Sequence, residues 1–171
     1  MERVDLPITA TGDDDTRADA VFAAFYASEV VGQVRGATLI VGSRAAAQDI
    51  VHDAFVAVLK RWGELRDPGP YLQRTVVNGC RDALRRRSVA DRFVRGHVDR
   101  TDLAPVDGEL FDALARLRFN HRAAIVLRFY LQLTEQEIAA HLGCRPGSVG
   151  PWIRRGLDEL AAQLRPDRDT P

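Results

Sequence analysis

Four polar residues, Arg74, Asn78, Arg81 and Arg85, are separated by four, three and four positions. On a helix this spacing lines three guanidinium groups and one amide along a single stripe, which Arg86 and Arg87 extend. Guanidinium forks neutralise phosphates, and an asparagine amide can pair with a base edge. Tyr71, at the start of the same segment, and Trp62 before it carry aromatic faces on which an unpaired base could stack. A solvated polar helix face has the same spacing, so the stripe alone leaves both readings open.

The charge distribution makes the stripe distinctive. The 171-residue chain has 24 basic and 24 acidic residues and no formal net charge, so overall composition gives no argument for nucleic acid. Between Leu72 and Arg100, however, eight arginines face only three aspartates.

Catalytic chemistry finds little support. The four histidines are scattered and none has HExxH spacing; there is no GxxxxGK phosphate loop. Cys80 and Cys144 lack a CxxC partner, so buried free thiols are expected rather than a zinc site or a disulfide. The expectation is no catalytic residue, no metal and no cofactor. No apolar run approaches the ~20 residues of a membrane span, and the acidic N-terminus does not resemble a signal peptide. A cytoplasmic protein without membrane insertion is expected.

The elements that must position these residues are helical. Residues 1–15 are acidic and poor in large apolar groups, which reads as a mobile tail. Thr16 with Asp19 suggests a capping box, and Val21, Phe22, Phe25 and Tyr26 begin an apolar stripe on a helix running to about Val41. Gly42 stops it, Ser43 caps a second helix, and Val51, Phe55, Val58 and Trp62 mark that helix's inner side. After a turn over residues 66–70, a third helix buries Leu72, Val76, Cys80 and Ala83 and presents the arginine stripe opposite.

Periodicity is lost over residues 89–107, which reads as a linker ending a first unit at 16–88. A second unit over 108–165, followed by a short tail at 166–171, opens with two short amphipathic stretches, with Asn120 placed to cap the second. Thr134 with Glu137 then forms a capping box, Gly143 stops that helix, and Val149, Ile153, Leu157, Leu160 and Leu164 form the stripe of another. A helix, a tight turn and a second helix make a helix-turn-helix pattern. The expected fold is all-α, two small helical domains joined by a short linker.

The order of these pieces resembles the extracytoplasmic-function subgroup of bacterial sigma factors across nearly all of residues 20–165. AAAQDIVHDAFVAVLKRW resembles the family helix that docks on the clamp of core RNA polymerase, and YLQRTVVNGCRDALRRR the helix that engages the minus-ten element. LRFYLQLTEQEIAAHLGCRPGSV resembles the domain that reads the minus-thirty-five element. The resemblance implies polymerase contacts at Asp49, His52 and Asp53, with His52 where a glutamine is usual. It implies minus-ten and melting contacts among Tyr71, Arg74, Asn78, Arg81, Arg85, Arg86 and Arg87, with Asp82 fixing an arginine or touching DNA.

The second helix of the helix-turn-helix departs from the family's usual GTVKSRLSRAL. Here GSVGPWIRRGL keeps the hydroxyl at Ser148 but puts Gly150, Pro151 and Trp152 where lysine, serine and arginine are usual. Arg145, Ser148, Trp152, Arg154 and Arg155 are the minus-thirty-five candidates. If the helix starts at Pro146, Pro151 is its sixth residue and costs about 3 kcal/mol or a kink; if Gly150 caps it, the helix is a turn shorter. Trp152 would face DNA or anchor a protein partner.

What the resemblance implies is a factor that binds bacterial core RNA polymerase and promoter DNA and is held in check by an anti-sigma factor or other regulatory protein. The alternatives are a sigma-derived regulator whose second domain binds protein, and a stand-alone DNA-binding repressor that would leave the first domain unexplained.

Overall fold

A computed structural model of the chain describes residues 11–90 and 108–165, with side chains over 17–86 and 108–165. Residues 1–10 of the tail expected at 1–15, residues 91–107 of the linker expected at 89–107, and the tail expected at 166–171 lie outside the described residues. Among the described residues the elements are all helices, joined by short turns, without a strand.

The first unit is a bundle of α1 (Thr11–Val41), α2 (Arg44–Leu59) and α3 (Pro68–Ala90). Helix α1 is already running at Thr16, so Thr16 and Asp19 do not cap it, and the helix begins five residues before the expected edge of the tail. Threonine and aspartate cost only about half a kcal/mol in a helix interior, too little for a capping signature to end a helix against a strong apolar stripe. Gly42, at φ 77, makes the left-handed stop. Ser43 starts α2 as expected, its hydroxyl accepting from the Ala46 N–H at 3.3 Å. The Pro68-Gly69-Pro70 stretch, read as a turn, forms the first turn of α3, where proline is tolerated, and Asp67 accepts the Gly69 N–H at 3.1 Å.

Helix α2 ends at Leu59, so Trp62 sits in a short 3-10 turn over Trp62–Glu64 rather than on the helix. Its ring still closes the bundle, 5.0 Å from Phe22 edge-on and 5.3 Å from Phe25, while Tyr26 packs 4.6 Å from Phe55. Such aromatic pairs add about 1 kcal/mol each beyond their buried area. Gly79 lets α3 approach α2: a Cβ there would stand 2.7 Å from Ile50 Cγ2.

The second unit comprises α4 (Gly108–Arg116), α5 (Phe119–Ile125), α6 (Glu135–Leu142) and α7 (Val149–Gln163). Helix α5 begins at Phe119 with Arg118 as its flanking residue, so Asn120 lies inside the helix and does not cap it. It continues into a wide π-turn over Val126–Tyr130, closed by Leu131 N–H donating to the Val126 carbonyl at 3.2 Å. Of the stripe expected on α7, Val149 and Leu160 are buried, but Leu157 is 41% exposed.

The two units share one core. Val51, Val58, Leu72 and Val76 of the first are continuous with Ala123, Leu127, Ile138 and Val149 of the second. A smaller cluster, Ala113, Leu114, Leu117, Ile125 and Leu160, closes the far side of the second unit. Each fully buried aliphatic side chain is worth about 2 kcal/mol, so joint burial favours this closed arrangement. Helix α1 is the common spine: Gly36 lies 3.6 Å from the Tyr130 ring, measured to a Cβ built on it.

Candidate nucleic-acid interface

On α3 the apolar side is Leu72, Val76, Val77 and Cys80, all buried, with Ala83 only half-buried. Burial pushes the Cys80 thiol up to about 12, as expected of an inert core cysteine, although the Arg122 charge opposes the shift. On the opposite side Arg74, Asn78, Asp82, Arg85 and Arg86 are exposed. The side chain of Arg87 lies outside the described residues.

Arg81 departs from the open stripe. It is half-buried, donates to the Leu142 carbonyl at 2.7 Å, and its guanidinium carbon stands 5.2 Å from the centroid of the Phe119 ring. Tyr71 is half-buried with the Arg61 guanidinium 5.1 Å over its ring, and Arg61 pairs with Glu64 at 3.1 Å. Trp62 packs against Phe22 and Phe25, so of the two aromatic residues singled out for stacking it serves the core.

Asp49, His52 and Asp53 are exposed on the face of α2 opposite Ala47, Val51, Ala54 and Phe55. Two residues that sequence reasoning passed over share this surface. Val56 and Leu59 are 37% and 50% exposed, three positions after Asp53 and seven after His52. Their helical spacing from the carboxylates was the available signal.

The helix-turn-helix is built as its caps require. The Thr134 hydroxyl accepts from the Glu137 N–H at 3.3 Å, while the Thr134 N–H and hydroxyl donate to the Glu137 carboxylate at 2.8 and 2.7 Å. These bonds hold the Glu137 carboxyl below the usual carboxylate range. Gly143 ends α6 at φ 65, and the chain passes through a 3-10 turn over Pro146–Ser148 into α7.

Neither expectation for Pro151 holds. Because the α-helix proper starts at Val149, Pro151 is its third residue, inside the first turn, where its missing N–H has little to lose. Arg145, Arg154 and Arg155 are exposed and Ser148 is half-buried. Trp152 is half-buried and packs against the shared core. A Cβ on Gly150 would stand 3.4 Å from the Glu135 carboxylate oxygens, so a negative charge borders the position where the family pattern has lysine.

Behind this turn, Arg128, Phe129, Glu135, Ile153, Arg154 and Leu157 line an open groove of about 280 Å³, with Phe129 itself 55% exposed. Among the described residues no cluster of histidine, cysteine and carboxylate side chains could hold a metal, and no helix is long and apolar enough to cross a membrane.

Two family matches cover these units in order: sigma-70 region 2 over residues 26–103 and sigma-70 region 4 over residues 107–160. The RNA polymerase sigma factor CarQ of Myxococcus xanthus is 31% identical over 137 residues, 73% of this chain and 78% of that protein. The chain belongs to the extracytoplasmic-function sigma factors. Another relative, the RNA polymerase sigma-E factor of Streptomyces avermitilis, is 29% identical over 139 residues, 77% of this chain and 78% of that protein.

The fold of this sigma factor is similar to that of the sigma factor RpoE in its complex with the anti-sigma factor NepR from Bartonella quintana. The TM-score is 0.65 at 19% identity, covering 91% of this chain and 99% of that one. It is equally similar to CnrH in complex with the cytosolic domain of CnrY, with TM-score 0.65 at 24% identity, covering 89% and 95%. The all-α architecture of a region 2 unit and a region 4 unit is thereby established for this chain.

Proposed function

We propose that the chain directs transcription initiation by binding bacterial core RNA polymerase and promoter DNA in the cytoplasm. In this reading Asp49, His52 and Asp53, with the neighbouring Val56 and Leu59, form the polymerase-docking face of α2. The α3 stripe captures melted minus-ten DNA, its arginines carrying the backbone and Asn78 reading a base. Arg145, Ser148, Arg154 and Arg155 meet the minus-thirty-five duplex at the start of α7. The process is binding rather than catalysis.

The observation that carries this reading is the coexistence, in one chain, of an exposed run of Arg74, Asn78, Arg85 and Arg86 on α3 and a helix-turn-helix whose first helix, α6, starts in a capping box and stops at a left-handed glycine. The test is the affinity of the chain for core polymerase against an Asp49→Arg, Asp53→Arg double variant, followed by run-off transcription. Tight binding that the double variant weakens by about a hundredfold supports the reading. No binding by the unaltered chain overturns it.

A second reading, in which the region 4 unit binds a regulatory protein rather than DNA, draws on the groove beside Phe129 and Leu157 and on Glu135 next to Gly150. An anti-sigma factor, named in the first of the two structural likenesses, is the partner this reading favours. Loss of partner binding in Phe129→Ala with duplex DNA binding absent in the unaltered chain would favour it over the first.

A further inference from the structure

Of the two aromatic residues that could stack an unpaired base, neither offers a fully open ring. Trp62 is packed against Phe22 and Phe25. Tyr71, the fourth residue of α3, is half-buried against the shared core, and the Arg61 guanidinium carbon stands 5.1 Å over its ring centroid. The layer above the tyrosine is therefore an arginine, and that arginine is exposed. A guanidinium is planar and weakly hydrated, and it stacks on bases as it does on aromatic side chains.

The turn between α2 and α3 aims this side chain. The Arg61 N–H donates to the Val58 carbonyl at 3.0 Å, and the Arg61 carbonyl accepts from the Glu64 and Leu65 N–H groups at 2.9 and 3.1 Å. From the same turn the Glu64 carboxylate accepts from Arg61 Nε at 3.1 Å. That bond meets the guanidinium at its edge, in the plane of its N–H groups, and so takes up no face. An exposed pair of this kind adds little to stability, so its effect is on where the guanidinium lies. Arg74, exposed and one helical turn after Tyr71, is the first backbone-neutralising cation of the stripe.

We propose that Arg61 is the base-stacking residue of the region 2 unit: an unpaired base of the melted strand lies on the outer face of its guanidinium, with Tyr71 as the supporting layer beneath and Glu64 as the brace. The inference rests on the function proposed above for α3 and deepens it, moving the stacking from the ring to the cation that covers it. Because Glu64 already offsets its charge, Arg61 acts through its face and not as one more phosphate contact. Every base has a π-face, so Arg61 holds a base without reading it, whereas Asn78, two turns beyond Tyr71, reads one.

The test separates base from phosphate. A short single-stranded oligonucleotide is selected from a random pool for binding to the full chain assembled with core polymerase, after removal of sequences that bind core polymerase alone. It is then remade with one abasic position at a time, each keeping its phosphate and losing its base. Arg61 and Glu64 are both exposed, so changing them leaves the core intact. In Arg61→Lys, which keeps the charge and loses the plane, one abasic penalty of about tenfold should fall to about twofold. The penalties at other positions and the salt dependence should stay as they were. Glu64→Ala should lower that same penalty and steepen the salt dependence by about one phosphate contact, because the unbraced guanidinium is free to meet the backbone.

An abasic profile that Arg61→Lys leaves unaltered would overturn the stacking role. Binding weakened evenly at every position would overturn it in favour of a plain phosphate contact, and an unmoved penalty in Glu64→Ala would overturn the brace. In all three cases the unaltered complex still binds the oligonucleotide, and the function proposed for α3 stands. If no oligonucleotide can be selected although the chain binds core polymerase, that function falls and this inference with it.

Discussion

Gly156 of α7 lies directly against Ile125 of α5: a Cβ on the glycine would stand 2.6 Å from Ile125 Cδ1 and 3.1 Å from His121 Cβ. The two helices meet at backbone distance, and the His121 Nδ1 to Glu159 Oε1 contact at 3.0 Å ties the same pair at its edge. A methyl at this crossing must push the helices apart, because the Cβ of His121 cannot swing away as a side-chain tip can. Gly156→Ala should therefore lose about 1–2 kcal/mol of stability, overpacking outweighing the roughly 1 kcal/mol of helix propensity gained. Urea denaturation followed by circular dichroism measures it; a stabilised variant would show that the crossing relaxes freely.

The capping box at Thr134 makes a second case. Thr134→Ala removes the acceptor for the Glu137 N–H and a donor to its carboxylate, and should cost about 1 kcal/mol, concentrated in α6. Amide exchange across Glu135–Leu142 should accelerate while α2 stays protected. The contribution depends on pH in a definite direction. Since Glu137 is held below the ordinary carboxylate value of 4.5, its share is complete above that value and is lost as pH falls through the lower, folded one.

His141 sets a pH dependence nearer neutrality. Burial pushes its imidazole below the ordinary 6.5, Glu137 pulls it part of the way back, and Arg74 on α3 adds to the effect of burial. The folded chain thus binds a proton less readily than the unfolded one. Stability from this site is complete above 6.5 and is lost as pH falls through the depressed, folded value. Urea midpoints taken at about pH 7.5 and 5.5 should fall for the unaltered chain and fall less for His141→Leu. An equal fall in both would mean that another group governs the window.

Gly150 and Glu135 yield a test at the reading turn. Gly150→Lys restores a cation to the start of α7, but the Glu135 carboxylate beside it will capture much of that charge. The single variant should therefore change duplex binding little, whereas Gly150→Lys with Glu135→Gln should steepen the salt dependence of binding by about one phosphate contact. Fluorescence anisotropy over a salt series distinguishes the two. Equal slopes in all three proteins would place this turn away from the phosphates.

Much of this architecture was legible in the residues because its determinants are local. The Ser43 cap, the Thr134 and Glu137 box, the left-handed stops at Gly42 and Gly143 and the inner line of α3 all depend on neighbours within one turn. What escaped depends on distant partners. Asn120 carries a capping side chain, yet the helix begins two residues earlier than such a cap would start it, with Phe119 packed against the shared core. Trp152 looked like an outward-facing residue by its spacing from Ser148, and only the packing of α7 on the rest of the molecule turns it inward. Arg81 follows the stripe's period perfectly well; its diversion is set by Leu142, 61 positions away. Asp49 and Asp53 on α2 are exposed, as polar residues opposite an apolar stripe should be, whereas the apolar Val56 and Leu59 beside them break the rule that exposed helix faces are polar.

The aromatic packing has a practical side. The chain has two tryptophans, and they fall one to each unit: Trp62 is wedged beside Phe22 and Phe25, and Trp152 sits on α7. Replacing either with phenylalanine leaves a single emitter in one unit alone. The intrinsic fluorescence of two such proteins would then report, without any attached dye, whether the units lose structure together or in succession.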